Sequence, residues 1–220
     1  MPIVQNIFRA YDIRGVYQKD LNEEAAYLIG RGFASYLLKE KNLVNPTVVV
    51  GRDNRTHSQS LQAEFIRGLT ESGCRVTNIG LSASPYLYFS TCEGKFDAGC
   101  NITASHNPKE YNGFKLLTAN AHAVFGDELQ KVYQLIVAGD FVNGDGSEEP
   151  GDFATAYLKK LQSMFEFKEP LRVVVDTGNG IAAKCTQARL NRSVTMWWNF
   201  LPNWMALFPI TSLTRLWNRI

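Results

Sequence analysis

Between residues 22 and 40 the apolar side chains Ala25, Leu28, Ile29, Phe33, Tyr36 and Leu37 recur at the three-and-four spacing of one helix face. Asn22 suits the N-cap. Glu23 and Glu24 place acid in the first turn, where the helix dipole favours it. The same spacing predicts a helix over residues 58–72, with Leu61, Phe65, Ile66 and Leu69 on one side and Gly73 as its terminator. Residues 47–50 form a β-branched run that stops at Gly51, the pattern of a buried strand. Residues 75–80 predict a second strand, and residues 98–102 a third that runs into Thr103. A Ser-Pro turn opens a helix over residues 84–92, residues 113–117 are extended, and residues 127–138 are helical. This alternation predicts an α/β fold: a mixed, largely parallel sheet with helices on both faces.

Residues 139–151 are rich in Gly, Asp, Glu and Ser and read as a linker. Beyond them come a helix over residues 152–165, an apolar strand over residues 171–176, and Thr177-Gly178-Asn179-Gly180. The expected organisation is a first domain over 1–140, a linker over 141–151, the incomplete start of a second α/β domain over 152–183, and an atypical tail over 184–220.

Composition narrows the function classes. A length of 220 residues allows one or two domains, and 45% hydrophobic with 20% charged content is ordinary for a globular chain. A net charge of +2 gives no broad basic field, so neither nucleic acid nor an anionic membrane is expected as a partner. No apolar run reaches the ~18–20 residues of a membrane span, and residues 1–14 lack a signal pattern, which predicts a cytoplasmic location. Cys74, Cys92, Cys100 and Cys185 fit no zinc spacing and read as free thiols, while His57, His106 and His122 are too scattered for a histidine metal site. The last 37 residues differ in character: all 21 acids precede Lys184 and all four tryptophans follow it.

The candidate chemistry lies in Thr103-Ala104-Ser105-His106-Asn107-Pro108. It follows a buried strand, and ligands gather at the carboxyl ends of strands in open α/β sheets. The segment offers a hydroxyl, an adjacent imidazole and small neighbours, although the same composition also suits an ordinary turn. Nearby lie Tyr11-Asp12-Ile13-Arg14-Gly15, Gly51-Arg52-Asp53-Asn54-Arg55 and Tyr111-Asn112-Gly113-Phe114-Lys115. Several cations around one serine suit the handling of a phosphoryl group, whose equatorial oxygens need positive charge.

The segments YDIRG, GRDNR, TASHNPKEYNGFK and VVVDTGNG, in this order, resemble the α-D-phosphohexomutase superfamily, and within it the bacterial phosphomannomutase/phosphoglucomutase type. The likeness runs from about Ile7 to Ala183, the N-terminal part of such a protein. It implies a phosphohexomutase that moves phosphate reversibly between C1 and C6 of a mannose or glucose phosphate through a hexose 1,6-bisphosphate. Ser105 would carry the phosphate and, through it, contribute to binding Mg2+. Arg14, His106 and Lys115 would join it as catalytic residues, and Tyr11, Arg52 and Asn107 would bind substrate or phosphate. A full-length member would be a monomer or dimer acting on a hexose phosphate.

The family's acidic D-G-D-G-D-R loop, which supplies the remaining magnesium ligands, does not follow Asp176. Asn143-Gly144-Asp145-Gly146-Ser147 resembles it only superficially and reads as a surface turn. Back-translated from the third base of the Trp204 codon, the tail forces Asp-Gly and then permits the family's x-Phe-Pro-Asn-His-x-Pro-Asp-Pro stretch. The tail after about Ala183 is therefore expected to be read in a shifted frame, leaving a truncated chain with little mutase activity of its own. Two other readings stay open: a non-catalytic sugar-phosphate-binding module derived from the mutase, and the phosphoglucosamine mutase branch.

Overall fold

The computed structural model describes residues 3–164, 171–173, 180–181 and 194–196. The chain forms two compact units, Met1–Lys160 and Leu161–Ile220. The first contains β1 (Ile13–Val16), α1 (Glu23–Lys39), β2 (Thr47–Arg52), α2 (Ser58–Thr70), β3 (Arg75–Leu81), α3 (Ser84–Glu93), β4 (Ala98–Ile102), β5 (Tyr111–Thr118), β6 (His122–Ala123), α4 (Asp127–Ala138) and β7 (Ser147–Pro150), and α5 (Ala154–Met164) begins in it. As its sequence suggests, Asn22 caps α1: its Oδ1 accepts from Ala25 N–H at 2.9 Å.

The sheet runs β1-β5-β4-β2-β3-β7, with β6 paired to β5. Strands β4, β2, β3 and β7 are mutually parallel, while β5 is antiparallel to β4, β1 and β6. The parallel half needs crossovers, which α2 and α3 supply. The tight Pro108–Tyr111 turn brings β5 back beside β4 in the opposite sense. The segment expected to be a linker contributes an edge strand. Ser147–Pro150 is exposed throughout yet pairs with β3, so no apolar alternation could have marked it.

Strand alternation divides the core in two. Val48 and Val50 of β2, Ala98, Cys100 and Ile102 of β4, and Phe114 and Leu116 of β5 join α1, α2 and α4. Val49 and Leu117 point the other way, to Tyr86 and Leu87 of α3. Helices thus cover both faces. On the first face α1 and α2 meet at Gly30 and Gly68. A Cβ on Gly30 would stand 2.3 Å from the Phe65 carbonyl oxygen, and one on Gly68 2.4 Å from that of Tyr27, so the helices approach closely only because both positions lack a side chain.

Three described cysteines are free. Burial pushes the Cys74 thiol up to about 12, with a small push from Asp97, and raises that of Cys100 as well. Since the thiolate is the nucleophile, both should resist alkylation. Iodoacetamide at pH 8 is expected to modify exposed Cys92 in the native protein and to reach Cys74 and Cys100 only in denaturant. Peptide mass mapping at successive times would check this.

In the second unit, β8 (Leu171–Val173) pairs in parallel with β9 (Val194–Met196). Residues 174–176 of the expected strand, the four tryptophans, and the tail expected to be frame-shifted apart from Val194–Met196 lie outside the described residues. Among the described residues no helix is long and apolar enough to cross a membrane.

Candidate active site around the Ser105 loop

The loop from Thr103 to Pro108 leaves the carboxyl end of β4. Its start is pinned to β5, where Thr103 N–H donates to the Gly113 carbonyl at 2.9 Å. Ser105 N–H donates to Thr103 Oγ1 at 2.9 Å, and Asn107 N–H to the Ala104 carbonyl at 3.1 Å. These bonds turn the chain so tightly that Ser105 adopts φ 57°, left-handed backbone that a residue with a Cβ rarely takes. The exposed Ser105 hydroxyl stands 3.3 Å from His106 Nδ1.

Arg14 comes from β1, where it pairs in register with Gly113. Its Nη1 donates to Asn107 Oδ1 at 2.7 Å, and its Nη2 is ion-paired with Asp12. Its Nε is buried without a partner among the described residues. Lys115 lies on the same face of the sheet as Arg14, because Phe114 and Ile13 beside them both turn to the α1/α2/α4 core. The Lys115 side chain is half-buried and makes no ion pair or hydrogen bond with the described residues.

Ser105, His106, Asn107 and Arg14 therefore meet, with Lys115 on the adjoining strand. Tyr11 is 77% exposed, and no described contact ties it to the loop. Arg52 ends β2 opposite Ile102, on the other face from Arg14, and donates to the Asp53 carbonyl at 3.3 Å. Burial holds its guanidinium below the ordinary value, and the Asp53 carboxylate partly opposes that shift.

Arg55 has the largest share of the loop's contacts, and it does not act as a free cation. Nη1 donates to the carbonyls of Pro108 (2.6 Å) and Tyr111 (3.1 Å), and Nη2 to those of Ser105 (3.2 Å) and Asn107 (2.7 Å). Nε donates to Asp53 Oδ2 at 3.0 Å. A guanidinium has five N–H donors, and all five are occupied. Sequence reasoning grouped Arg55 with the phosphate cations. Its carbonyl partners lie 50 to 56 residues away, beyond any local pattern.

A buried relay supports this hub. Asp53 Oδ1 accepts from Ser58 Oγ at 2.6 Å, and Ser58 Oγ accepts from Asn112 Nδ2 at 2.9 Å. Gly113 N–H donates to Asn112 Oδ1, which fixes the amide with Nδ2 toward His57 Nδ1 at 2.8 Å. His57 Nδ1 therefore accepts, and Nε2 carries the proton donated to the Lys109 carbonyl at 3.1 Å. Tyr17 stacks on the His57 ring at 4.3 Å. His57 and Ser58 carried no signal of this role in the sequence, and Asn112 appeared only as a member of the YNGFK run, because each acts through buried contacts.

Magnesium finds no complete site here. Among the described residues no three His, Cys, Asp or Glu side chains could hold an ion. Asp12 and Asp53 are each committed to an arginine that binds the loop.

Residues 5–143 match the family model described as phosphoglucomutase/phosphomannomutase, alpha/beta/alpha domain I. The chain is 40% identical over 179 residues to a phosphomannomutase/phosphoglucomutase of Pseudomonas aeruginosa, covering 80% of this chain and 37% of that protein. It is 37% identical over 181 residues to a phosphoglucomutase of Neisseria meningitidis, covering 81% and 38%. A crystal structure of a phosphoglucomutase/phosphomannomutase family protein from Burkholderia thailandensis superposes with TM-score 0.79 at 35% identity, over 88% of this chain and 44% of that one. The chain thus spans well under half the length of these relatives.

Proposed function

Given that this chain belongs to the phosphoglucomutase/phosphomannomutase family, we propose that Ser105 carries the phosphate of a phosphohexomutase that interconverts hexose 1- and 6-phosphates. A sugar hydroxyl oxygen attacks the phosphorus of phosphorylated Ser105. The bond from phosphorus to Ser105 Oγ breaks, the hydroxyl gives up its proton, and Oγ receives one. The hexose 1,6-bisphosphate then turns over and returns its other phosphate to Ser105.

The observation that supports this reading is the posture of Ser105: left-handed, exposed and 3.3 Å from His106 Nδ1, with Arg14 bound to the same loop through Asn107. A phosphorylated serine carries roughly −1.5 to −2 charge, which the Arg14 guanidinium, held to the loop through Asn107, and the Lys115 ammonium would offset. His106 orients the ester oxygen, and Lys115 stabilises charge or carries the proton. Tyr11 and Arg52 are proposed as more distant substrate contacts. Magnesium would meet the phosphate on Ser105 with oxygen ligands from outside the described residues, and would supply positive charge to it. Hexose binding and turnover would draw on the remaining length of a full-size relative. The 220-residue chain is proposed to take up phosphate and to turn over little substrate.

Incubation with glucose 1,6-bisphosphate, followed by intact-protein and peptide mass spectrometry, is expected to add one phosphoryl group at Ser105 and none to Ser105→Ala. Saturable binding of the bisphosphate with no covalent adduct would refute phosphoryl transfer and leave a sugar-phosphate-binding module.

A further inference from the structure

Asn101 is a buried polar residue that the proposed chemistry leaves unused. It lies in β4, 1% exposed. Its Nδ2 donates to Ser84 Oγ at 3.2 Å, whereas Oδ1 is buried with no hydrogen-bond partner among the described residues. A buried acceptor without a donor carries an uncompensated desolvation cost.

The strand directly opposite holds the complement. Register pairs Asn101 with Lys115 of β5. Cys100 and Ile102 flank Asn101, Phe114 and Leu116 flank Lys115, and all four turn to the α1/α2/α4 core. Alternation therefore sends Asn101 and Lys115 to the same, opposite face. Directly opposed residues on antiparallel strands have Cβ atoms roughly 4.5–5.5 Å apart, a gap that a lysine stem spans. The ammonium brings three donors and no acceptor, and Lys115 makes no side-chain bond with the described residues. Two acceptors on that side are already engaged: Asp12 pairs with Arg14, and Tyr86 of α3 with Asp152 and the Phe153 N–H.

We infer that Asn101 is a positioning residue for Lys115, its Oδ1 accepting a hydrogen bond from the Lys115 ammonium. Lys115 then has a resting place on β4 and reaches the Ser105 loop by turning across the sheet face. The bond rests on the strand register and on the orphaned acceptor, and it needs a Lys115 rotamer other than the one described, in which neither group is hydrogen-bonded; its value to catalysis rests on the role proposed for Lys115.

Reactivity of Lys115 tests the bond without reference to turnover. The 220-residue chain is labelled briefly with acetic anhydride at pH 8, and each lysine is quantified by peptide mass spectrometry against the others. Asn101→Leu is expected to acetylate Lys115 about tenfold faster than the parent chain, with the other lysines unchanged, because a bonded ammonium is protected. Asn101→Asp, which keeps an acceptor, should restore slow labelling. Equal rates in the parent and Asn101→Leu would overturn the inference. If the Leu variant fails to fold, the 15N side-chain amide resonances of Asn101 decide. They should move when Lys115→Met removes the donor, and unmoved resonances would overturn it equally. Absence of phosphate uptake on Ser105, with the acetylation difference intact, would count against the proposed function and not against this bond.

Discussion

Arg55→Ala is expected to destabilise the first unit by about 3–5 kcal/mol, because it strands the largely buried Asp53 carboxylate and frees four backbone carbonyls at once, three in the loop and that of Tyr111. Arg55→Lys separates charge from shape. Lysine keeps the cation beside Asp53 but brings three donors on one atom where five on a planar fork are used. It is expected to cost roughly 1–3 kcal/mol, since a hydrogen bond to a charged group contributes about that much. Its effect on phosphate uptake by Ser105 should be larger than its effect on stability. A misplacement of about 1 Å can cost on the order of a hundredfold in rate, and the Ser105 carbonyl is itself one of the ligands of Arg55. Urea unfolding gives the stability, and the time course of the Ser105 adduct gives the rate. Uptake at the parent rate in Arg55→Lys would show that the loop holds its posture without the full fork.

Gly113→Ala is expected to have a comparable effect by a different route. An added Cβ would stand 2.1 Å from the Ile13 carbonyl oxygen and 3.2 Å from Arg14 Cα, both backbone atoms of β1. Backbone cannot rotate away as a side-chain tip can, so β1 must move off β5. Overpacking of this kind costs typically about 1–3 kcal/mol and more where the obstacle is rigid. The displaced strand carries Arg14, so the 2.7 Å bond to Asn107 is lost with it. A lowered urea midpoint, together with faster amide exchange confined to β1 and the facing residues of β5, would confirm the mechanism. Unchanged exchange in β1 would refute it.

Much of this fold was legible from apolar spacing. Helices α1, α2, α3 and α4 and strands β2, β3 and β4 lie within a residue or two of where periodicity put them, because each buries a regular face. Strand β1 was not legible. Its four residues include Arg14 and Gly15, and only pairing with β5 makes it extended. Strand β7 is Ser-Glu-Glu-Pro with every residue exposed, the composition of a loop. The Ser105 loop was legible because its chemistry is written in consecutive residues. The structure that supports it was not. Arg55 meets backbone carbonyls, which carry no sequence signature, and His57 and Asn112 reveal themselves only as partners in a buried chain of hydrogen bonds. Asn101 and Lys115 were assigned to separate elements, and the reversal of β5 against β4 is what sets them face to face.

The pairing of β1 with β5 also fixes an order of events when the chain is made. The parallel core of β2, β3 and β4 is joined by local crossovers and can assemble from residues 47–102. Arg14 and Asn107 are 93 residues apart, so their contact closes a long loop. Non-local closures of this kind slow folding far more than they alter stability. At a synthesis rate of roughly 5–20 residues per second, β1 has no strand to join for on the order of ten seconds after it is translated. The arginine that holds Asn107 of the Ser105 loop is among the first residues made and among the last to be placed.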